Sequence, residues 1–161
     1  MPGHSRENRL LNPDYRDILS LFADEAVEYL LVGAYALAAH GHPRATGDID
    51  LWVAPSQRNA KRVMRALSRF GAPLSDVNEA DFEGPDLIFQ IGLAPRRIDV
   101  MTSISGVSDF GEAWEERLEV EIDGIPVRVL SRRHLIENKK ATGRLQDLAD
   151  VDRLENGGDG S

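Results

Sequence analysis

The sequence contains no cysteine, which excludes a disulfide framework and any metal site built on thiolates. It has no hydrophobic run long enough to span a bilayer, and the polar stretch 1–11 lacks the apolar core of a signal peptide. Basic residues are outnumbered, with 19 Lys and Arg against 27 Asp and Glu. This balance argues against bulk attraction to nucleic acid or to an anionic membrane. We therefore expect a cytoplasmic protein with no membrane contact.

The length and composition suit one hydrophobic core. The chain has 161 residues, of which 42% are hydrophobic, and this size is typical of one domain rather than two. We predict a single domain over residues 12–155, preceded by a flexible N-terminus at 1–11. The glycine-rich stretch 156–161 is expected to be a flexible tail.

The stretch 46–53 places two aspartates in a predicted strand. Side chains alternate between the faces of a strand, so Asp48 and Asp50 share one face while Ile49 and Leu51 point into a core. Two neighbouring carboxylates repel, and Asp is a poor strand former. A bound divalent cation would explain the arrangement. For an isolated Asp-x-Asp, the commoner explanation is a strand end whose carboxylates cap a turn or face water.

A glycine separates a predicted strand from a predicted helix just upstream. The apolar run 29–32 reads as a buried strand, Gly33 follows it, and the alanine-rich segment 34–40 should be helical. A helix start presents unpaired N–H groups, and glycine allows close approach of an anion. Gly33 is thus a candidate phosphate seat, although such a glycine is more often only a tight turn.

A third carboxylate becomes available if two predicted strands are neighbours. Segments 87–91 and 97–101 look like strands paired as a hairpin. Asp99 lies on the face opposite its apolar neighbours, and therefore beside Asp48 and Asp50 if these strands are adjacent. The alternative is an exposed aspartate on a half-solvated strand.

Basic residues form two groups despite the acidic total. One lies along the predicted helix that ends near Phe70, and the other lies between residues 128 and 144. Each is most simply a solvated helix face, whereas an RNA-binding surface would require both groups to form one patch. The helical group consists of Arg58, Arg62, Arg65 and Arg69.

Two groups of residues form motifs that together cover about residues 29–154. The first motif comprises Val32-Gly33-Ala34, His40-Gly41, Arg44-x-Thr46 and Asp48-Ile49-Asp50-Leu51; the second comprises Leu135-Ile136, Lys139, Ala141, Gly143-Arg144, Asp147-Leu148 and Asp150. The first motif resembles the signature of the polymerase-beta-like nucleotidyltransferases. The second resembles the C-terminal motif of small bacterial nucleotidyltransferase-like proteins, including relatives of the AbiEii toxins.

The resemblance implies an α/β (α+β) fold, a mixed β-sheet flanked by helices. It also implies a site in which Asp48, Asp50 and Asp99 hold Mg2+ or Mn2+ at a nucleoside triphosphate. Asp99 would complete the metal site or accept the proton of an attacking hydroxyl. Lys139 would supply a point charge to phosphate, and the alternative is an ordinary helix-surface lysine.

Further residues of the motifs are implied to contact the nucleotide. Gly33 and the amide of Ala34 would hold the triphosphate, with Arg44, Thr46 and Asp147 beside them. For Arg44 the alternative is a solvated loop residue. For Asp147 the alternative is a helix cap or an ion pair with Arg144.

The implied activity is transfer of a nucleoside monophosphate from a nucleoside triphosphate to a hydroxyl of a protein, an RNA or a small molecule. Ala34 stands where the family usually has Gly or Ser, which bears on nucleotide affinity more than on metal binding. Gln146 stands where relatives often carry Lys or Arg. The alternative function is a catalytically weak or inactive regulatory module of the same fold, such as an antitoxin-like protein with a toxin–antitoxin partner.

Overall fold

The computed structural model describes residues 11–43 and 47–157. Among these residues, no helix combines the length and the apolar character needed to cross a membrane. Helices and strands follow one another in the order α1 (Pro13–Asp24), β1 (Tyr29–Val32), α2 (Gly33–Ala39), β2 (Ile49–Val53), α3 (Gln57–Phe70), a 3-10 helix (Glu79–Glu83), β3 (Ile88–Ile91), β4 (Ile98–Met101), α4 (Phe110–Glu115), β5 (Leu118–Ile122), β6 (Ile125–Val129), α5 (Arg132–Thr142) and α6 (Leu145–Asn156).

The strands form one six-stranded sheet in the order β3-β4-β2-β1-β6-β5. β2 runs parallel to β4, and β1 runs parallel to β6. The other neighbouring pairs are antiparallel. The parallel β2–β4 pair is made possible by α3, because a parallel connection needs a long crossover. This mixed sheet flanked by helices confirms the predicted fold class.

The centre of the sheet is apolar and buried. All residues of β1 are buried, and in β2 every residue except Asp50 is buried. Trp52 is 1% exposed, and its ring lies 5.0 Å from that of Phe110. Trp52 therefore packs in the core of the protein. Asp50 is thus a partly buried acidic residue in an otherwise buried strand.

Local signals explain several element boundaries. Asn12 caps α1 by accepting a hydrogen bond from Tyr15 N at 2.9 Å, with Pro13 at the first turn. Gly143 ends α5 in the left-handed conformation, with φ of 66°, which separates α5 from α6. The last helix continues to Asn156.

The arginines of α3 face acidic partners rather than open solvent alone. Arg65 and Arg69 each lie 3.0 Å from a carboxylate oxygen of Glu25. Arg58 pairs with Glu28 at 3.4 Å. Such exposed pairs contribute little to stability, but they offset part of the positive charge of this group. The RNA-binding interpretation, which requires this group and the one between residues 128 and 144 to form one patch, stays a prediction.

Candidate functional site

Three carboxylates meet on one face of the sheet. Asp48 precedes β2, Asp50 lies within it, and Asp99 lies in β4. The parallel register pairs Asp50 directly with Asp99, and Asp48 lies two residues before Asp50, on the same face. The predicted neighbourhood of the three aspartates is therefore confirmed.

Arg97 lies among these carboxylates. Its backbone N–H donates to Asp48 Oδ1 at 2.9 Å, and its Nη2 lies 3.2 Å from Asp48 Oδ2. Its guanidinium also binds Asp99 bidentately, with Nε to Oδ1 at 2.7 Å and Nη2 to Oδ2 at 3.1 Å. Sequence reasoning missed this residue. A signal was present, because residues i and i+2 of a strand share a face.

The surroundings of Asp50 disfavour its charged form. Burial raises its pKa from 3.8 to about 7, and the charges of Asp99 and Asp48 add to the effect, while Arg97 opposes it. Asp50 also lies directly against Gly33, where a Cβ atom would stand 2.4 Å from Asp50 Oδ2. Gly33 has φ of +71°, so both its conformation and the adjacent carboxylate require glycine.

The donor set suits Mg2+ or Mn2+, because these hard cations prefer carboxylate oxygens. Three carboxylates that repel one another when charged are the ligands expected at such a site. As the side chains stand in the described part of the chain, no group of three or more His, Asp or Glu residues converges into a ready metal cage. The guanidinium of Arg97 pairs with both Asp48 and Asp99.

Tyr15 ties together the two segments that carry the carboxylates. Its hydroxyl lies 2.8 Å from the carbonyl of Gly47 and 3.1 Å from the carbonyl of Arg97, within donating distance of both. Burial raises the pKa of Tyr15 to about 12, so the hydroxyl keeps the proton it donates. Tyr15 thereby fixes the approach of Asp48 to the Arg97 segment.

A cleft of about 550 Å³ opens over Asp50 and Asp99. One wall comes from the start of α2 and another from α5 and α6, so the two sequence motifs line the same cavity. Its remaining walls come from β3, β4 and the segment after β4. The lining residues are Val32, Gly33, Asp50, Asp86, Ile88, Asp99, Met101, Ser103, Ile104, Ser105, Asn138, Lys139, Thr142, Arg144 and Asp147.

Lys139 lies at the cleft wall but is only 4% exposed. Its Nζ is 3.0 Å from Asp150 Oδ2 and 3.5 Å from Asp147 Oδ1. The amide of Gln146 donates to Asp150 Oδ1 at 3.2 Å. The ammonium is thus committed to buried carboxylates, which gives Lys139 a structural function. Its proposed contact with phosphate stays a prediction.

Asp147 joins the end of α5 to the start of α6. It accepts hydrogen bonds from Thr142 Oγ1 at 2.8 Å and from Arg144 Nε at 2.7 Å. Burial alone would raise the pKa of Asp147, but these hydrogen bonds outweigh it and hold the pKa at about 2. The predicted alternative, a cap paired with Arg144, is therefore the observed arrangement. The side chain of Arg144 is 76% exposed and lines the cleft, another residue that sequence reasoning left unassigned.

The remaining predicted nucleotide contacts are Ala34, Arg44 and Thr46, of which the structure describes only Ala34. Ala34 follows Gly33 in the first turn of α2, beside the cleft. Arg44 and Thr46 lie outside the described residues.

A known protein family matches this chain over most of its length. The model of a family described as "Nucleotidyltransferase of unknown function (DUF6036)" matches residues 14–155. No curated protein sequence matches the chain. Among solved structures, TM1012 of Thermotoga maritima, assigned to the nucleotidyltransferases, is 17% identical with a TM-score of 0.62, covering 94% of this chain and 98% of its own.

Two antibiotic-modifying proteins share the fold. The antibiotic-resistance factor ANT(2'')-Ia is 17% identical with a TM-score of 0.60, and the match covers 88% of this chain and 80% of that one. The lincosamide antibiotic adenylyltransferase LnuA is 14% identical with a TM-score of 0.56, covering 92% and 98%. At these identities the likeness concerns the fold.

Proposed function

The chain belongs to the DUF6036 family of nucleotidyltransferases, and we propose that it transfers a nucleoside monophosphate from a nucleoside triphosphate to an acceptor hydroxyl with Mg2+ or Mn2+. The observation that carries this proposal is the convergence of Asp48, Asp50 and Asp99 on one face of the sheet, where Asp50 and Asp99 line the cleft. A cation held there by these carboxylates would neutralise charge on the attacking and leaving oxygens. In the reaction, the acceptor oxygen bonds to the α-phosphorus, the bond to pyrophosphate breaks, and the hydroxyl proton passes to a carboxylate.

The structure supports Asp50 as the acceptor of that proton. Both oxygens of Asp99 are engaged by the guanidinium of Arg97. Asp50 does not pair with Arg97, and in the metal-free chain burial raises its pKa to about 7, so its carboxylate takes up a proton more readily than an ordinary aspartate. Asp48 and Asp99 then remain the proposed ligands of the cation.

The phosphate chain is proposed to run from Gly33 toward the α5–α6 wall. Gly33 brings its backbone against Asp50, and the amide of Ala34 follows it, so phosphate oxygens can approach main-chain N–H groups closely. Arg144 supplies an exposed cation at the same cleft. Arg44, Thr46 and Lys139 are further proposed contacts.

The acceptor is a hydroxyl of a protein, an RNA or a small molecule. ANT(2'')-Ia has been crystallised with adenylyl-2''-tobramycin and LnuA with lincomycin. A small-molecule antibiotic is therefore the first acceptor class to test, alongside a cell extract that supplies proteins and RNA.

The test is incubation with α-labelled ATP, GTP, CTP or UTP, Mg2+ and each acceptor source, followed by detection of labelled product. We expect label transfer by the wild-type protein and loss of transfer in Asp48→Asn and Asp50→Asn. Asp76→Asn is the matched control, because Asp76 is an exposed aspartate remote from the cleft lining. Retained transfer by both site variants would refute the mechanism.

A second candidate is an inactive regulatory module of the same fold, for example an antitoxin-like partner. It is favoured by the Arg97 pairs, which stabilise two carboxylates without any bound cation, and by Ala34 in place of a hydroxyl-bearing residue. Calorimetry with ATP, GTP, CTP and UTP, each with Mg2+ or Mn2+, separates the two candidates. Binding of a triphosphate supports the enzyme, whereas no binding of any triphosphate favours the regulatory module.

A further inference from the structure

The groups best suited to phosphate lie at one end of the cleft. A Cβ at Gly33 would stand 2.4 Å from Asp50 Oδ2, so the start of α2 lies directly against Asp50. The pKa of Arg144 is raised, chiefly by its hydrogen bond with Asp147, and the charge of Asp50 contributes to the shift. Arg144 is therefore within electrostatic range of Asp50. Both groups thus belong to the end of the cleft that lies over β1 and β2.

The opposite end of the cleft is formed by β3 and the segments next to it. In the sheet order β3-β4-β2-β1, β3 lies beyond Asp99 as seen from Gly33. Ile88, the first residue of β3, is 60% exposed and lines the cleft. Its register partner Met101 lines the cleft as well. This end therefore offers exposed apolar surface to a ligand.

Asp86 adds a fixed carboxylate to the β3 end. Its φ is 67°, a left-handed conformation that aspartate tolerates better than most residues. Its N–H donates to Ser103 Oγ at 3.1 Å, and Ser103 Oγ donates to Asp86 Oδ1 at 3.1 Å. Within residues 11–43 and 47–157, no Lys, Arg or His side chain pairs with Asp86. Asp86 also lines the cleft, so its charge is available to a ligand there.

An in-line displacement relates the two ends of the cleft. The acceptor oxygen bonds to the α-phosphorus on the side opposite the departing pyrophosphate. With the pyrophosphate held beside Gly33 and Arg144, the acceptor has to approach across Asp99, from β3. Its hydroxyl proton passes to Asp50, as in the proposed reaction. The cleft volume of about 550 Å³ is that of a small-molecule site.

We propose that the β3 end of the cleft is the acceptor subsite, and that the acceptor is a small hydroxyl compound that carries an ammonium group. The apolar part of this compound packs on Ile88 and Met101, and its ammonium group pairs with Asp86. An RNA acceptor would bring phosphates toward the same carboxylate, which is electrostatically unfavourable. The inference rests on the proposed function, because it concerns the same cleft and the same reaction.

Blocking the β3 end separates acceptor binding from nucleotide binding. Because the chain has no cysteine, Ile88→Cys introduces a single thiol at an exposed position, and a maleimide that carries a bulky group then modifies it. The blocked protein should bind the Mg2+ complexes of the α,β-methylene analogues of ATP, GTP, CTP or UTP within about twofold of the unmodified variant. Transfer of α-label to a cell extract should fall at least about tenfold. Leu93→Cys, modified in the same way, is the control, since Leu93 is 85% exposed and absent from the cleft lining.

Fractionation of the extract tests the chemistry of the acceptor. The acceptor should pass an ultrafiltration membrane, survive ribonuclease and be retained on a cation-exchange resin. Asp86→Asn keeps a residue that tolerates the left-handed conformation. At limiting acceptor, this variant should transfer label to the retained fraction about threefold more slowly than the wild-type protein, with analogue binding unchanged. Asp76→Asn, which removes an exposed carboxylate outside the cleft lining, should transfer at the wild-type rate.

The outcomes distinguish the inference from the proposed function. Loss of analogue binding in the blocked Ile88→Cys protein would put the nucleotide at the β3 end and overturn the inference alone. Undiminished transfer by the blocked protein, an acceptor that the cation-exchange resin does not retain, or an unchanged rate in Asp86→Asn would also overturn the inference alone. A wild-type protein that binds no analogue, or that transfers no label, would overturn both.

Discussion

Replacing Asp50 by Asn should stabilise the protein at pH 8 and leave its stability nearly unchanged at pH 4. In the folded chain, burial and the neighbouring Asp99 and Asp48 raise the pKa of Asp50 to about 7. In the unfolded chain this group is surrounded by water and has its ordinary pKa of 3.8. The folded state therefore has to accommodate an unfavourable charge above pH 7, and asparagine cannot carry that charge.

The sign follows from proton uptake. Between pH 3.8 and about 7 the folded chain holds a proton on Asp50 that the unfolded chain has released. The free energy of unfolding consequently falls as pH rises through this window, and the loss is complete above pH 7. Below pH 3.8 both states are protonated, so Asp50 contributes nothing to the pH dependence there.

The magnitude is a few kcal/mol. A rise in pKa from 3.8 to about 7 corresponds to roughly 4 kcal/mol. The carboxylate lines an open cleft, so screening by water reduces the penalty to about 2 kcal/mol. For a chain of this size, that difference corresponds to roughly 4–8 °C in Tm.

The assay is urea denaturation followed by tryptophan fluorescence, from pH 4 to pH 8, in buffer with EDTA to remove divalent ions. Wild type and Asp50→Asn are compared at each pH, and Asp76→Asn controls for loss of an exposed carboxylate. The difference between wild type and Asp50→Asn should grow steadily with pH. An equal difference at pH 4 and pH 8, or a less stable Asp50→Asn protein at pH 8, would refute the reasoning.

Two pairs of substitutions test the surroundings of the cleft by the same denaturation assay. Gly33→Ala should lose at least about 1 kcal/mol more than Gly124→Ala, because a Cβ at Gly33 would stand 2.4 Å from Asp50 Oδ2 whereas nothing lies within 4 Å of one at Gly124; both glycines have positive φ, so equal losses would contradict a role for the contact. Lys139→Met should lose about 3 kcal/mol, because it leaves buried carboxylates without their cation. Lys140→Met, which removes a surface pair with a glutamate, should change stability by less than about 1 kcal/mol; a similar loss in both lysine variants would show that the buried pairs contribute little.

The faces of the strands were readable from the sequence, but their neighbours were not. A period of two assigns Asp48 and Asp50 to one face and predicts the hairpin that contains Asp99. Adjacency of β2 and β4 depends on the crossover through α3, which joins residues about 50 positions apart. Alternation within a strand carries no information about such a distant partner, so the third carboxylate could be predicted only conditionally.

For Arg97, the contact with Asp99, two residues along the chain, was predictable from the sequence, whereas the contact with a distant segment was not. Its shared face with Asp99 is a local property of the sequence, and the pair was predictable on that basis. Its contacts with Asp48 join segments 49 positions apart and depend on how β2 meets β4. Likewise, the spacing of the arginines in α3 predicts a charged helix face, but their partner Glu25 belongs to the end of α1. The sequence predicts the charged face of α3, but only the tertiary structure shows which acidic side chains pair with it.

Residues of the C-terminal motif form one wall of the cleft, and they orient the side chain of Arg144 there. Asp147 and Asp150 lie three residues apart on one face of α6, where both approach the ammonium of Lys139 at the end of α5. Because an unpaired buried charge is costly, these contacts hold the two helices together at the cleft. Asp147 also orients Arg144, whose side chain remains 76% exposed beside the same cavity. Lys139 and Arg144 together balance the charges of the two aspartates. Under the proposed function, the exposed guanidinium of Arg144 would meet an incoming phosphate at this cleft.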